Sequence, residues 1–271
     1  MRPSHRIHVY KTGLMNRLLH NMLNGYPWYY SGTVPADRVM SFIAHLEEEY
    51  AVDASEDRRQ YRRRRHGQAN AFVQLHPSYT SPFFHWWLQL TDGTHPEPVP
   101  PSLLADARAR GRHRLVVPGD FEAVLRPAPG GLPRWTWQLT SATYQNDAQR
   151  IRTVIRQPAG TDPINHLLRQ IHGYPAFRGI RSQIAALRAL ALAEWRRTKP
   201  ENVRLELPPF PPYLRYKHHP IVEIQIVLER LLRSEPPITW EERIRPLGPM
   251  LVPLKDHRAA CVTAEGRDDG R

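Results

Sequence analysis

The sequence predicts an α+β fold in which an antiparallel sheet of about five strands is flanked by amino-terminal helices and a carboxyl-terminal helical layer. Three observations carry this. Apolar residues recur at helical spacing within residues 1–66, change to two-residue alternation or continuous apolar runs within 67–141, and return to helical spacing within 142–254. The 271 residues suffice for a sizeable core, and residues 1–254 are read as one domain. Residues 255–271 are short of apolar side chains and are read as a disordered tail.

Residues 6–10 (Arg-Ile-His-Val-Tyr) alternate as a short strand. Leu14, Leu18 and Leu19 then mark a helix over 13–24, which Gly25 stops. A second helix over 36–50 has Val39, Met40, Phe42, Ile43 and Leu46 on its apolar side. The arginine run that follows Ser55-Glu56-Asp57 reads either as a short basic helix, its acidic start suiting the helix dipole, or as an extended solvated arm. Strands are expected at 69–76, 83–91, 113–117, 121–126 and 134–140, separated by Pro, Gly and Asp-Gly turns. Prolines exclude a central strand from 94–101, and Ser102 is placed to cap a short helix over 103–110.

Further helices are expected at 142–156, 163–172 and 179–197. The longest, from Arg178 to Trp195, should cover the sheet with Ile180, Ile184, Leu187 and Ala191. Six prolines between 200 and 220 predict a semi-rigid connector or an extended strap, followed by an amphipathic helix over 221–233.

The charge balance points to a polyanionic partner. With 38 basic and 26 acidic residues the formal charge is +12, and such an excess favours nucleic acid, an anionic surface or an acidic protein. Only Lys11, Lys199, Lys217 and Lys255 are lysines; the other 34 basic residues are arginines, which grip phosphate bidentately and stack on bases. A GC-rich genome also enriches arginine, and it explains neither the net charge nor the clustering. Six arginines fall within eight positions, Arg58, Arg59, Arg62, Arg63, Arg64 and Arg65, and these are the expected phosphate contacts. Arg178 and Arg181 repeat the theme at the start of the long helix.

Aromatic residues cluster at 26–30, 83–87 and 135–137. Strand alternation puts Trp135 and Trp137 on one face and separates Trp86 from Trp87. Trp86, Trp135 and Trp137 are therefore the expected stacking platforms for bases, against the plainer expectation that each ring packs between sheet and helices.

Cys261 is the single cysteine, which leaves no intramolecular disulfide and no thiolate zinc site. No apolar run approaches a membrane span, and the start of the chain leads into no apolar signal core, so a soluble, cytoplasmic protein is expected. The fourteen histidines include no His-x-His, and no His-Glu-x-x-His, Gly-x-Ser-x-Gly or Walker loop is present. Neither a metal nor a cofactor is expected; Asp120 and Glu122, which share a strand face, read as solvated acids rather than as a Mg²⁺ pair.

Several resemblances bear on function. His166-Leu-Leu-Arg169, with Trp195 and Tyr213 downstream, resembles the His-x-x-Arg core of tyrosine recombinases, although the sheet-rich middle departs from their helical catalytic domain. The supply of His, Tyr and Arg is similar in chemistry to CRISPR RNA-processing endoribonucleases, which implies metal-independent RNA cleavage as an alternative. Phe121-Glu-Ala-Val-Leu-Arg126, Trp135-Thr-Trp137, Phe177-Arg-Gly-Ile-Arg-Ser-Gln183 and Glu194-Trp-Arg-Arg197 resemble uncharacterised proteins of bacterial plasmids and integrative elements, a group to which no activity is attached. The favoured expectation is a nucleic-acid-binding protein, for DNA or RNA, that serves replication, transfer or maintenance of a mobile element. A subunit that binds an acidic partner within a larger assembly is the third expectation.

Overall fold

The computed structural model describes residues 3–95, 104–109, 114–127, 131, 133–158, 160–213 and 220–244. The expected tail at 255–271 lies outside these residues. The architecture is α+β, but its strands form two sheets rather than one.

Strand β1 (Arg6–His8) leads into helix α1 (Lys11–Leu23), and the aromatic stretch after it forms β2 (Trp28–Pro35). Helices α2 (Val39–Tyr50) and α3 (Glu56–His66) follow, then β3 (Ala71–Pro77) and β4 (Phe83–Leu90). A short β5 (Ala105–Asp106) precedes β6 (Val116–Val117), β7 (Phe121–Arg126) and β8 (Arg134–Leu139). The remainder comprises α4 (Ser141–Arg156), α5 (Asp162–His172), α6 (Arg178–Thr198), β9 (Ile221–Glu223), α7 (Ile224–Leu232) and α8 (Trp240–Ile244).

The main sheet has the order β5-β2-β4-β3-β1-β9 and is antiparallel except for the parallel β1–β3 pair. Strand β2 decides this arrangement. It pairs with β4 from Trp28–Leu90 to Pro35–Phe83, while β3 pairs with the other edge of β4. With both edges of β4 taken, β6, β7 and β8 have no place beside it and form a separate antiparallel sheet. The expected helix at 103–110 is corrected for the same reason: Ala105 and Asp106 pair with Tyr29 and Trp28 on the free edge of β2. The first turn of the helix expected at 221–233 is likewise strand, because Ile221–Glu223 complete the sheet against β1.

Alternation along β4 divides the molecule into two cores. Phe84, Leu88 and Leu90 join Val73 and Leu75 of β3 under α2 and α7, where Val39, Ile43, Val227 and Leu231 are buried. On the opposite face Trp87 meets Leu14, Met15 and Leu18 of α1, which lie between the main sheet and Trp137 and Leu139 of β8. Ile151, Leu168, Ile180, Ile184 and Leu187 close this core from α4, α5 and α6.

Polar groups fix α1 in its slot. Buried Gln89 accepts from Asn21 Nδ2 at 2.9 Å and donates to the Leu18 carbonyl at 3.1 Å. Trp137 Nε1 donates to the Met15 carbonyl at 3.0 Å. Helix α6 approaches β8 closely at Gly179, where a Cβ would stand 2.4 Å from the Trp137 carbonyl oxygen. Gln183 accepts from the Leu139 N–H and donates to its carbonyl, so the edge of β8 is covered. Residues 201–213 lack regular secondary structure and form the expected strap, tied by Trp195 Nε1 to the Val203 carbonyl at 2.8 Å and by Arg188 to that of Pro208 at 2.5 Å.

Candidate nucleic-acid interface

The arginine run is a helix. Ser55 accepts from the Arg58 N–H at its start, Glu56 and Asp57 occupy the first turn, and four basic residues occupy the last. This order of charges complements the helix dipole, and Gly67, at φ 62°, ends the helix in the left-handed conformation that glycine adopts without strain. So polar a helix has little apolar surface to hold it, and two of its arginines turn inward instead. Arg59 is 4% exposed, donates to the Val52 carbonyl at 2.6 Å and lies 3.7 Å from the centroid of the Phe72 ring. Arg62 donates from Nε to Gln68 at 2.9 Å, and burial, followed by the charge of Arg58, lowers its pKa. Arg58, Arg63, Arg64 and Arg65 are exposed.

Between α1 and α3 lies a groove of about 750 Å³. Its basic lining comprises Arg17 and His20 from α1 with Arg63 and Arg64 from α3, and Glu56 is its one acidic residue among the described residues. Phe72, from the start of β3, is in the floor, with Tyr26 at a ring distance of 4.9 Å and the Arg17 guanidinium 5.2 Å from its centroid. Asn24 and Asn70 add neutral donors and acceptors. Burial raises the pKa of the Tyr26 hydroxyl, opposed by the Arg59 charge, so it remains a phenol and a hydrogen-bond donor at neutral pH.

The other expected contacts do not join this groove. Trp137 is corrected outright: it is fully buried with its N–H committed to Met15, so no ring face remains for a base. Trp86 is half-buried against Phe42 at 5.0 Å, and its ring covers Gly32. Register places it on the face opposite Phe72, because Phe72 is paired with Gln89, which alternates with Trp86 along β4. Trp135 is half-buried on the second sheet, against the α1 core. Arg178 is exposed at the start of α6. Arg181 lies 3.8 Å from the Tyr213 ring centroid and 4.5 Å from that of Phe210, so it clamps the strap.

Arg59 is an anchor rather than a phosphate contact, and Arg62 is largely so. Sequence reading missed Arg17, His20 and Phe72, and it placed Tyr26 in the aromatic cluster at 26–30 without singling it out. A signal for the first two was present, since residues three apart on a helix share a face. Nothing in the sequence tied them to α3.

Of the recombinase-like residues, Trp195 packs in the α1 core with its N–H on Val203. Glu122 is engaged by Arg114 and Gln138 rather than left open to a metal. Among the described residues, His5, Glu47 and Asp53 bring donor atoms within 4.8 Å of one another. Ser4 already bonds Asp53, donating from its amide at 2.9 Å and from its hydroxyl at 2.7 Å, and the same hydroxyl stands 3.2 Å from Glu47. Among the described residues no helix is long and apolar enough to cross a membrane. No protein-family model, curated protein or solved structure matches the chain.

Proposed function

We propose that the protein binds nucleic acid along the α1–α3 groove, in the service of replication, transfer or maintenance of a mobile element. The observation that carries the binding is Phe72, a ring set among Arg17, Arg59 and Tyr26 on the floor of a groove walled by Arg63 and Arg64. Exposed guanidiniums displace counterions from phosphates, and a ring beside them gives an unpaired base a stacking partner at roughly 1–3 kcal/mol per base. A groove that combines the two suits a single strand better than a duplex, whose bases are already stacked. The link to mobile elements comes from the resemblance of the segments around β7, β8 and α6.

Purification at low salt without nuclease tests this reading. Nucleic acid is expected to travel with the protein, to be released by salt, and to crosslink under ultraviolet light to peptides that contain Tyr26 and Phe72. Clean protein without affinity for oligonucleotides would overturn it and favour an acidic protein partner.

A further inference from the structure

At the other end of α1 the same sheet face carries a row of histidines. His76 of β3 is paired with His85 of β4 in the antiparallel register. Ile7 of β1 is paired with Leu75 in the parallel one, which sets His8 beside His76. Ile7, Leu75 and Phe84 point into the core under α2 and α7, so alternation sends His8, His76 and His85 to the face that bears α1. Lys11, the first residue of α1, lies 5.0 Å from the centroid of the Phe121 ring, and its charge acts on both His76 and His85.

A cavity of about 580 Å³ opens here, lined by Lys11, His76, His85, Tyr79 and Arg243, with no Asp or Glu in its lining among the described residues. His76 is 5% exposed, and its Nδ1 has no hydrogen-bond partner. A buried polar atom without a partner beside a cavity is a place where a water molecule or a ligand would complete the bonding. Burial first, and then Lys11, push the His76 pKa down to about 3 and lower that of His85, so both imidazoles are neutral at neutral pH. Burial also lowers the pKa of Lys11, with Asp120 opposing.

Neutral bases, an ammonium group and a guanidinium are what a phosphodiester undergoing transfer requires. We propose that this cavity is a metal-independent acid–base site that cleaves RNA at a phosphodiester beside a free 2′-hydroxyl. The inference rests on the nucleic-acid reading for its substrate. His85, the more exposed of the paired imidazoles, takes the 2′-hydroxyl proton. The 2′-oxygen forms its bond to phosphorus as the bond from phosphorus to the 5′-oxygen breaks, and the Lys11 ammonium gives that leaving oxygen its proton. His76 and Arg243 face the charge on the pentacoordinate phosphorus. The products are a 2′,3′-cyclic phosphate and a 5′-hydroxyl, and solvent returns the proton from His85 to Lys11.

The test uses the full chain with EDTA present, an end-labelled RNA of mixed sequence, and the all-deoxy oligonucleotide of the same sequence. Expected are RNA fragments ending in cyclic phosphate, an intact deoxy strand, and a loss of about 100-fold or more in cleavage rate at saturating RNA for His85→Ala and for Lys11→Met. His85→Asn, folded by circular dichroism, serves if the alanine variant does not fold. RNA bound but left intact overturns the inference and leaves the binding reading standing; absence of both binding and cleavage overturns both. Cleavage that persists in the variants, or that also cuts the deoxy strand, overturns the inference as well.

Discussion

The two sides of α3 carry the same residue type to opposite ends. Its inward arginines, Arg59 and Arg62, replace an apolar face: one guanidinium lies over Phe72 and bonds a backbone carbonyl, the other bonds Gln68. Its outward arginines, Arg58, Arg63, Arg64 and Arg65, are exposed, and two of them wall the groove. Charge density alone therefore says little about role. What separates the two sets is whether the protein itself supplies the partner.

That contrast predicts that inward changes cost stability and outward changes cost binding. The largest effect belongs to a residue whose sequence context suggested a ligand platform and whose burial makes it core: Trp137→Ala should lose about 3–5 kcal/mol in denaturant unfolding. Arg59→Ala should lose about 2–3 kcal/mol, since it removes a buried charged donor and its ring contact and leaves the Val52 carbonyl unpaired.

A pH titration sharpens the same division. His76 is held neutral in the folded protein, with a pKa near 3 against 6.5 for the ordinary side chain. The unfolded chain therefore binds the proton more readily. Stability should fall as pH drops below about 6.5, by up to about 1.4 kcal/mol per pH unit, and His76→Gln should flatten that slope. His8, His85 and Lys11 face His76, and His85 is shifted in the same direction and adds to the slope. The smallest effect on stability belongs to Arg63→Gln with Arg64→Gln, which should change unfolding by no more than about 0.5 kcal/mol while weakening oligonucleotide binding. A double variant that unfolds easily would break the comparison.

Much of the fold was legible where pattern and local chemistry agreed. Helix α1, with Leu14, Leu18 and Leu19, and strand β7, bounded by turns, stand close to where periodicity puts them. The strand in Trp28–Pro35 was not legible, because Tyr26 to Tyr30 read as an aromatic cluster and Gly32 and Pro35 weaken a strand pattern. Without β2 the division into two sheets could not be foreseen, since that division follows from β2 taking the edge of β4. The groove was half legible for a related reason. The arginines of α3 announce themselves in a row, whereas Phe72 and Arg17 join them only through the packing of β3 and α1. The histidine row is further from sequence reading, since it needs the parallel register of β1 and the antiparallel register of β4 at once.

The salt dependence of oligonucleotide binding tests the central claim most directly. For a single strand each phosphate contact contributes about 0.7 to the slope of log affinity against log salt. The account predicts that Arg63→Gln with Arg64→Gln makes the slope shallower by about 1.4 while leaving the protein folded. A slope equal to that of the unaltered protein would contradict it and place the nucleic acid elsewhere on the surface.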